Sequence, residues 1–327
     1  MPAPTERPVV TVLCEQATDR PPGLEDLDGV EFRYCDAEGL REAVRGARGL
    51  LLWDYFSTAV REVWDDAGTL EWIHVTAAGV DTLLFDELRD SDVVVTNAHG
   101  VFDRPIAEYV LGAVIAHAKD SRTSFELQSR HEWRHRETRS VRGAKALVVG
   151  TGGIGREIAR LLKAVDVEVR GAGRVARTPH PDFGQVVASS NLAQEVADVD
   201  YLVLAAPLTT ATRGLVGAEV LAAMKEGAHL INVARGPIVD EAALLKALQD
   251  GRITATLDVF DREPLPPEHP LWDAPGVTIT AHMSGDVLGW RETLANQFAA
   301  NLHRWLAGDQ LLNVVDKKLG YIPSGAR

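Results

Sequence analysis

The sequence predicts an α/β protein made of doubly wound parallel sheets in two domains. Three observations carry this. Short aliphatic, β-rich runs alternate with helical patterns along the chain, as they do when helices cover both faces of a parallel sheet. One run opens into a glycine motif followed directly by a helical pattern, the start of a dinucleotide-binding βαβ unit. The length of 327 residues also exceeds the roughly 250 at which a single core usually stops growing.

In chain order, residues 9–15, 49–54, 71–77 and 93–97 read as strands of a first sheet. Residues 106–117 are apolar almost all round and predict a buried helix of about three turns that begins a second domain. The stretch 121–143 is dense in Arg and His, but Glu126, Glu132 and Glu137 offset much of that charge. It predicts a solvated helix and loop, with a dimer arm carrying Trp133 into a partner subunit as the functional alternative. Six further runs, 145–153, 167–173, 201–207, 229–234, 255–260 and 277–282, predict the strands of a second sheet. Internal repeats and low-complexity segments are absent from the sequence.

Composition narrows the functional classes. A formal net charge of −13 opposes nucleic-acid binding, which needs clustered Lys and Arg against phosphates, and favours a small-molecule partner. Two cysteines, Cys14 and Cys35, are too few for a disulfide framework and lack metal-site spacing, so both are expected to be buried small hydrophobes and no metal site is expected. No run approaches the ~20 apolar residues of a membrane span, and the N-terminus has no secretory pattern. A cytoplasmic protein without membrane contact is expected.

The segment VVGTGGIGREIA places Gly150, Gly152 and Gly155 in G-x-G-x-x-G spacing, with Gly153 and Ile154 between them. The first glycine permits the tight turn, the second lets backbone approach a pyrophosphate, and the third lets helix and strand pack closely. The amides and dipole of the helix N-terminus then face the phosphates. NAD sites usually carry Asp or Glu at the end of the next strand, for the ribose 2′-hydroxyl. Here that strand ends at Gly173 and is followed by Arg174, with Arg177 nearby, so NADP is expected to be preferred over NAD.

Arg235, Asp258, Glu263 and His282 lie near the ends of three successive predicted strands, where an open α/β sheet places its ligand crevice. A guanidinium can bind a carboxylate and polarise a carbonyl, and a His held by a carboxylate can exchange a proton near neutrality.

At these residues the sequence resembles the D-2-hydroxyacid dehydrogenase family, from about Glu71 to Asp316. The pieces that carry the resemblance keep the family order: AAGVD, GTGGIG, PLTTATRGL, MKEGAHLINVARGPIVDEAAL, DVFDREPLPPEHPLW and the histidine motif TAHMSGD. The resemblance implies hydride transfer between NAD(P)H and a small 2-keto or 2-hydroxy acid. Arg235 would hold the substrate carboxylate and carbonyl. Glu263 would support His282, the proton donor in reduction and the base in oxidation. Asp258 would bind the nicotinamide carboxamide, Val233 and Ala234 would flank the cofactor, and Pro207 and Thr212 would lie along it on the opposite loop. Backbone amides of Ala78 and Gly79 would receive the substrate carboxylate.

The family also implies an inserted architecture. A Rossmann NAD(P)-binding domain, residues 99–285, would sit within a flavodoxin-like substrate domain, residues 1–98 completed by 286–327, with a C-terminal helix near 288–306 packing back on the first domain. Catalysis would take place in the cleft, closed against water, in a protein usually dimeric through its cofactor domain. The resemblance is strongest to glyoxylate and hydroxypyruvate reductase-like members. Ala281 stands where the family often has Pro, however, and Trp53, Tyr55, Met283 and Trp290 are expected near the substrate side chain, where they would favour a bulkier acid. The alternative class is a non-catalytic NAD(H)-sensing corepressor, which turnover of a 2-keto acid would discriminate. A formate dehydrogenase is disfavoured because that branch pairs its histidine with Gln.

Overall fold

The computed structural model describes residues 7–323. The chain divides into two compact units, one ending at Val101 and resuming at Val287, the other running from Phe102 to Asp286.

The first unit is built on a five-stranded parallel sheet of order β2-β1-β3-β4-β5. Its strands are β1 (Val9–Leu13), β2 (Glu31–Cys35), β3 (Gly49–Leu52), β4 (Trp72–Val75) and β5 (Val94–Asn97). In β1, β3 and β4 every residue is buried, because a sheet covered on both faces needs continuous apolar runs rather than alternation. The predicted set lacked β2. Its sequence EFRYC buries only Cys35, so the edge strand has no aliphatic run to reveal it. Residues after Val287 complete this unit. The helix Trp290–Ala307 lays Phe298 on Trp72 with centroids 5.3 Å apart and planes at 9°, and Val315 N donates to Val95 O at 2.8 Å.

The second unit carries an eight-stranded sheet of order β13-β12-β11-β10-β6-β7-β9-β8. Its strands are β6 (Lys145–Val149), β7 (Glu168–Gly173), β8 (Arg177–His180), β9 (Gly184–Ala188), β10 (Tyr201–Leu204), β11 (His229–Asn232), β12 (Thr254–Leu257) and β13 (Val277–Ile279). All six predicted strands are present, and the β8–β9 hairpin adds an antiparallel edge. Pro179 stands in the outermost strand, where no ladder donor is needed. Strand order runs outward from β6 in both directions, so the switch point of this sheet lies at the end of β6, where the glycine motif begins.

The helix Asp103–Ala118 corrects the expectation of burial all round. Ile106, Ala107, Val110, Val114 and Ala118 form one buried stripe at three- and four-residue spacing, while Ile115 is 40% exposed. Gly112, Ala113 and Ala116 line a groove of about 610 Å³ against Thr254, Thr256 and Thr278 of the sheet edge. Small residues score as apolar in a sequence without filling a core. The helix Ser121–Ser129 follows, then a chain without regular structure in which Trp133 is fully exposed. Among the described residues no helix is long and apolar enough to cross a membrane.

Candidate active site

The cofactor cradle is built from backbone. Gly150 adopts φ +110°, and a Cβ there would lie 2.5 Å from Ala205 O. A Cβ on Gly155 would lie 1.9 Å from Gly150 O, so strand and helix approach as closely as the motif requires. Space around Gly152 is open, with nothing within 4 Å of a Cβ. A Cβ on Gly153 would lie 2.1 Å from the Asp103 carboxylate, a side-chain end that would have to move aside. The helix Gly153–Ala164, which takes in Ile154, has no side-chain cap and no acidic residue in its first turn. A helix start without a cap from its own N-cap side chain, an open approach at Gly152 and a positive dipole end fit a dinucleotide pyrophosphate.

At the end of β7, Gly173 is followed by exposed Arg174 and Arg177. A Cβ at Gly173 would meet Thr151 Oγ1 at 3.4 Å and Val186 at 3.5 Å, ordinary contacts that leave room for a side chain. On the neighbouring loop Pro207 is exposed, and its carbonyl accepts from Thr212 Oγ1 at 2.7 Å, while Thr209 N donates to the same hydroxyl at 2.8 Å. The Thr212 hydroxyl therefore shapes its own loop.

Three strand ends bring Arg235, Glu263 and His282 together. Arg235 leaves β11 in extended conformation, φ −148° and ψ 144°. Asn232 braces this turn, donating to Arg235 O at 3.1 Å and accepting from Ala234 N at 3.1 Å, with Val233 and Ala234 buried between. Gly236 is required here, since a Cβ would lie 1.9 Å from Phe260 C. That contact presses the arginine turn against the loop carrying Glu263. Glu263 Oε1 accepts from Phe260 N at 2.8 Å, and Oε2 accepts from His282 Nδ1 at 2.7 Å. Burial pushes the Glu263 carboxyl upward, but the hydrogen bond and charge of His282, the Phe260 amide and the Arg235 guanidinium outweigh it and leave the group below the usual carboxylate range. With Nδ1 donating to the carboxylate, Nε2 is the ring atom able to exchange a proton.

Asp258 directly follows β12. It has no exposed surface, and its carboxylate is engaged with the histidine loop: Oδ1 accepts from Thr280 Oγ1 at 2.5 Å and Met283 N at 3.0 Å, Oδ2 from Ser284 N at 2.9 Å. A carboxylate so occupied holds the histidine loop. Thr280 and Asp286 bound the histidine motif TAHMSGD, but the sequence reading gave neither a role of its own. Burial raises the Asp286 carboxyl, against the lowering effect of His282.

The remaining predicted residues divide between the units. Ala78 and Gly79 lie half-buried in the first unit, where Asn97 Nδ2 donates to Ala78 O at 2.6 Å. Trp53, Tyr55 and Trp290 are in the same unit. Trp53 is buried, with the Arg291 guanidinium 5.0 Å from its ring centroid and 5.9 Å from that of Trp290. Met283 belongs to the second unit and is about half exposed.

The family model for the D-isomer specific 2-hydroxyacid dehydrogenase, NAD binding domain, matches residues 111–284. The glyoxylate/hydroxypyruvate reductase A of Serratia proteamaculans is 32% identical over 277 residues, 80% of this chain and 84% of that protein. A D-isomer specific 2-hydroxyacid dehydrogenase of Xanthobacter autotrophicus Py2, solved with NADPH and MES, is 33% identical with a TM-score of 0.80, covering 95% of this chain and 99% of that one. The NADPH-dependent glyoxylate/hydroxypyruvate reductase of Sinorhizobium meliloti, solved with NADP and sulfate, is 27% identical with a TM-score of 0.81, covering 97% and 100%. An NAD(P)-binding sheet with a glycine cradle at its switch point, an arginine turn pressed against a glutamate–histidine pair, and these matches lead to one conclusion: the chain belongs to the D-isomer specific 2-hydroxyacid dehydrogenase family, and is an oxidoreductase of that kind.

Proposed function

We propose that this dehydrogenase reduces a small 2-keto acid of the glyoxylate or hydroxypyruvate type, with NADPH preferred over NADH. The observation that carries the reaction is the Glu263–His282 pair, 2.7 Å apart beside the Arg235 turn. The bound nicotinamide supplies the hydride. Arg235 binds the substrate carboxylate and polarises the keto oxygen with its planar fork. His282 Nε2 delivers a proton to that oxygen, and Glu263 holds the ring in the tautomer and charge state that allow it. Ala78 and Gly79 are assigned to substrate carboxylate binding in the first unit. Gly150, Gly152, Ile154, Gly155, Pro207, Val233 and Ala234 are assigned to the cofactor.

Support for NADPH comes from Arg174 standing after Gly173 where a carboxylate would serve NAD, and from the NADP and NADPH of the two solved relatives. The names of the Serratia and Sinorhizobium proteins support the substrate class. We further assign the segment 102–286 to the cofactor and the other unit to the substrate, and propose a cytoplasmic homodimer. A panel of 2-keto acids, each assayed with NADPH and NADH, tests the whole reading. Fastest turnover is expected with glyoxylate or hydroxypyruvate and NADPH; no turnover of any acid would overturn it.

A further inference from the structure

His282 occupies the left-handed region at φ +51°, an uncommon conformation for a residue other than glycine, although His adopts it more readily than most. Asp258 holds the backbone on either side of it. Asp258 O accepts from His282 N at 2.8 Å, and the Asp258 carboxylate takes the next two amides, Met283 N at 3.0 Å and Ser284 N at 2.9 Å. Three successive backbone donors thus end on Asp258, and the direction of its carboxylate fixes the path of the loop.

That direction is itself set from behind. Thr280 Oγ1 lies 2.5 Å from Asp258 Oδ1, and Tyr109 Oη lies 2.7 Å from Thr280 Oγ1. A carboxylate offers no proton, so the single hydrogen of Thr280 points to Asp258 and the Tyr109 hydroxyl must donate to Thr280. The chain therefore has one polarity: Tyr109 to Thr280 to Asp258 to the histidine loop. Burial and the Asp258 charge, opposed by the Thr280 bond, push the Tyr109 phenol up to about 12, so it remains a donor throughout the working range. Tyr109 stands on the half of the Asp103–Ala118 helix that borders the groove, and Thr280 borders the same groove.

We propose that Tyr109 and Thr280 are positioning residues for the proton-transfer step, acting through Asp258 to hold His282 at hydrogen-bond distance from Glu263. This rests on the reading of His282 as proton donor. The substitutions are Thr280→Val, which keeps the shape and removes the hydroxyl, Thr280→Ser, which restores it, and Tyr109→Phe. His282→Ala is run beside them. Glyoxylate and hydroxypyruvate reduction with NADPH is followed across pH, at a temperature well below each variant's Tm and normalised to folded protein.

Thr280→Val is expected to lower kcat by about tenfold or more and Tyr109→Phe by a few-fold, with NADPH Kd unchanged and Thr280→Ser close to wild type. Both deleterious variants are expected to move the alkaline limb of the reduction profile to lower pH, because a displaced imidazole loses the Glu263 charge; Asp286 and Arg235 also face this pair. A structural role alone would lower Tm and leave the limb in place, and that result overturns the proposal. So does Thr280→Ser behaving like Thr280→Val. If Thr280→Val does not fold, Tyr109→Phe, which removes one oxygen, decides the matter alone. Full activity in His282→Ala overturns the role of His282 together with this proposal, whereas loss there with wild-type behaviour in Tyr109→Phe and Thr280→Val overturns this proposal only.

Discussion

Arg235 and Glu263 show how little freedom the site leaves to single side chains. Lysine at 235 offers a point charge where two prongs are needed, so Arg235→Lys should cut kcat/KM at least ~100-fold, about 2.7 kcal/mol of transition-state stabilisation, with cofactor Kd nearly unchanged. Near-normal turnover would remove Arg235 from the reaction. Glutamine at 263 meets a conflict, because one oxygen of Glu263 accepts from Phe260 N and the other from His282 Nδ1, and an amide has only one oxygen to offer. Glu263→Gln should therefore move the alkaline limb of reduction to lower pH, each unit being ~1.4 kcal/mol of lost imidazolium stabilisation, and activity at neutrality should recover partly in acid. An unmoved limb would dissociate the two residues. At Gly173 the open Cβ direction makes Asp tolerable, and Gly173→Asp should raise KM for NADPH far more than for NADH; equal losses would show that another position reads the 2′-phosphate. Arg235, Glu263 and His282 were legible because their chemistry is unusual at the end of an aliphatic strand. The bonds of Asp258 to the histidine loop and the link from Tyr109 through Thr280 were not legible, because hydrogen-bond direction is a property of three dimensions and a hydroxyl beside an apolar run carries no sign of its partner.

Among the elements, the interior strands were legible for a simple reason: two covered faces demand unbroken aliphatic runs. Strands β2 and β8 escaped because an edge can be polar and can hold Pro179 without cost to the ladder, and β9, which pairs with β8, because only two of its five residues are buried. The Asp103–Ala118 helix was found but its burial was overstated, since Gly112, Ala113 and Ala116 face a groove. Two strands carry buried histidines with a measurable consequence. His74 in β4 and His229 in β11 are pushed down to about 3, chiefly by burial, with His117 adding to the effect at His229. The unfolded chain takes up these protons near pH ~6.5 and the folded chain does not until about 3. Stability is therefore complete above the unfolded value and is lost as pH falls through the window down to about 3, each histidine contributing a slope of up to ~1.4 kcal/mol per unit. His229→Gln, which can still bond Thr254 or Thr256, should reduce the proton uptake of unfolding by about one in urea titrations at pH 4 to 6; an unchanged slope would mean that His229 is charged in the native state.

Over the whole chain the first unit is divided in sequence and the second is continuous. A protein ending at Asp286 would retain every strand of both sheets, yet it would lack Phe298 on Trp72 and the Val315 bond to β5. Limited proteolysis of such a truncation should cut first within residues 7–101 and leave a resistant fragment near 102–286; equal resistance of both would show that the returning helix is dispensable. The same division sets an order of events during synthesis. A ribosome adds about 5–20 residues per second, so something on the order of ten seconds or more separates the emergence of Val101 from that of Phe298. Throughout that interval the β4 face that Phe298 will cover waits on the nascent chain while an entire second unit is made and has time to fold. The unit begun earlier is thus the later to be finished, and the nascent enzyme is most open to chaperones and to aggregation through the five-stranded sheet.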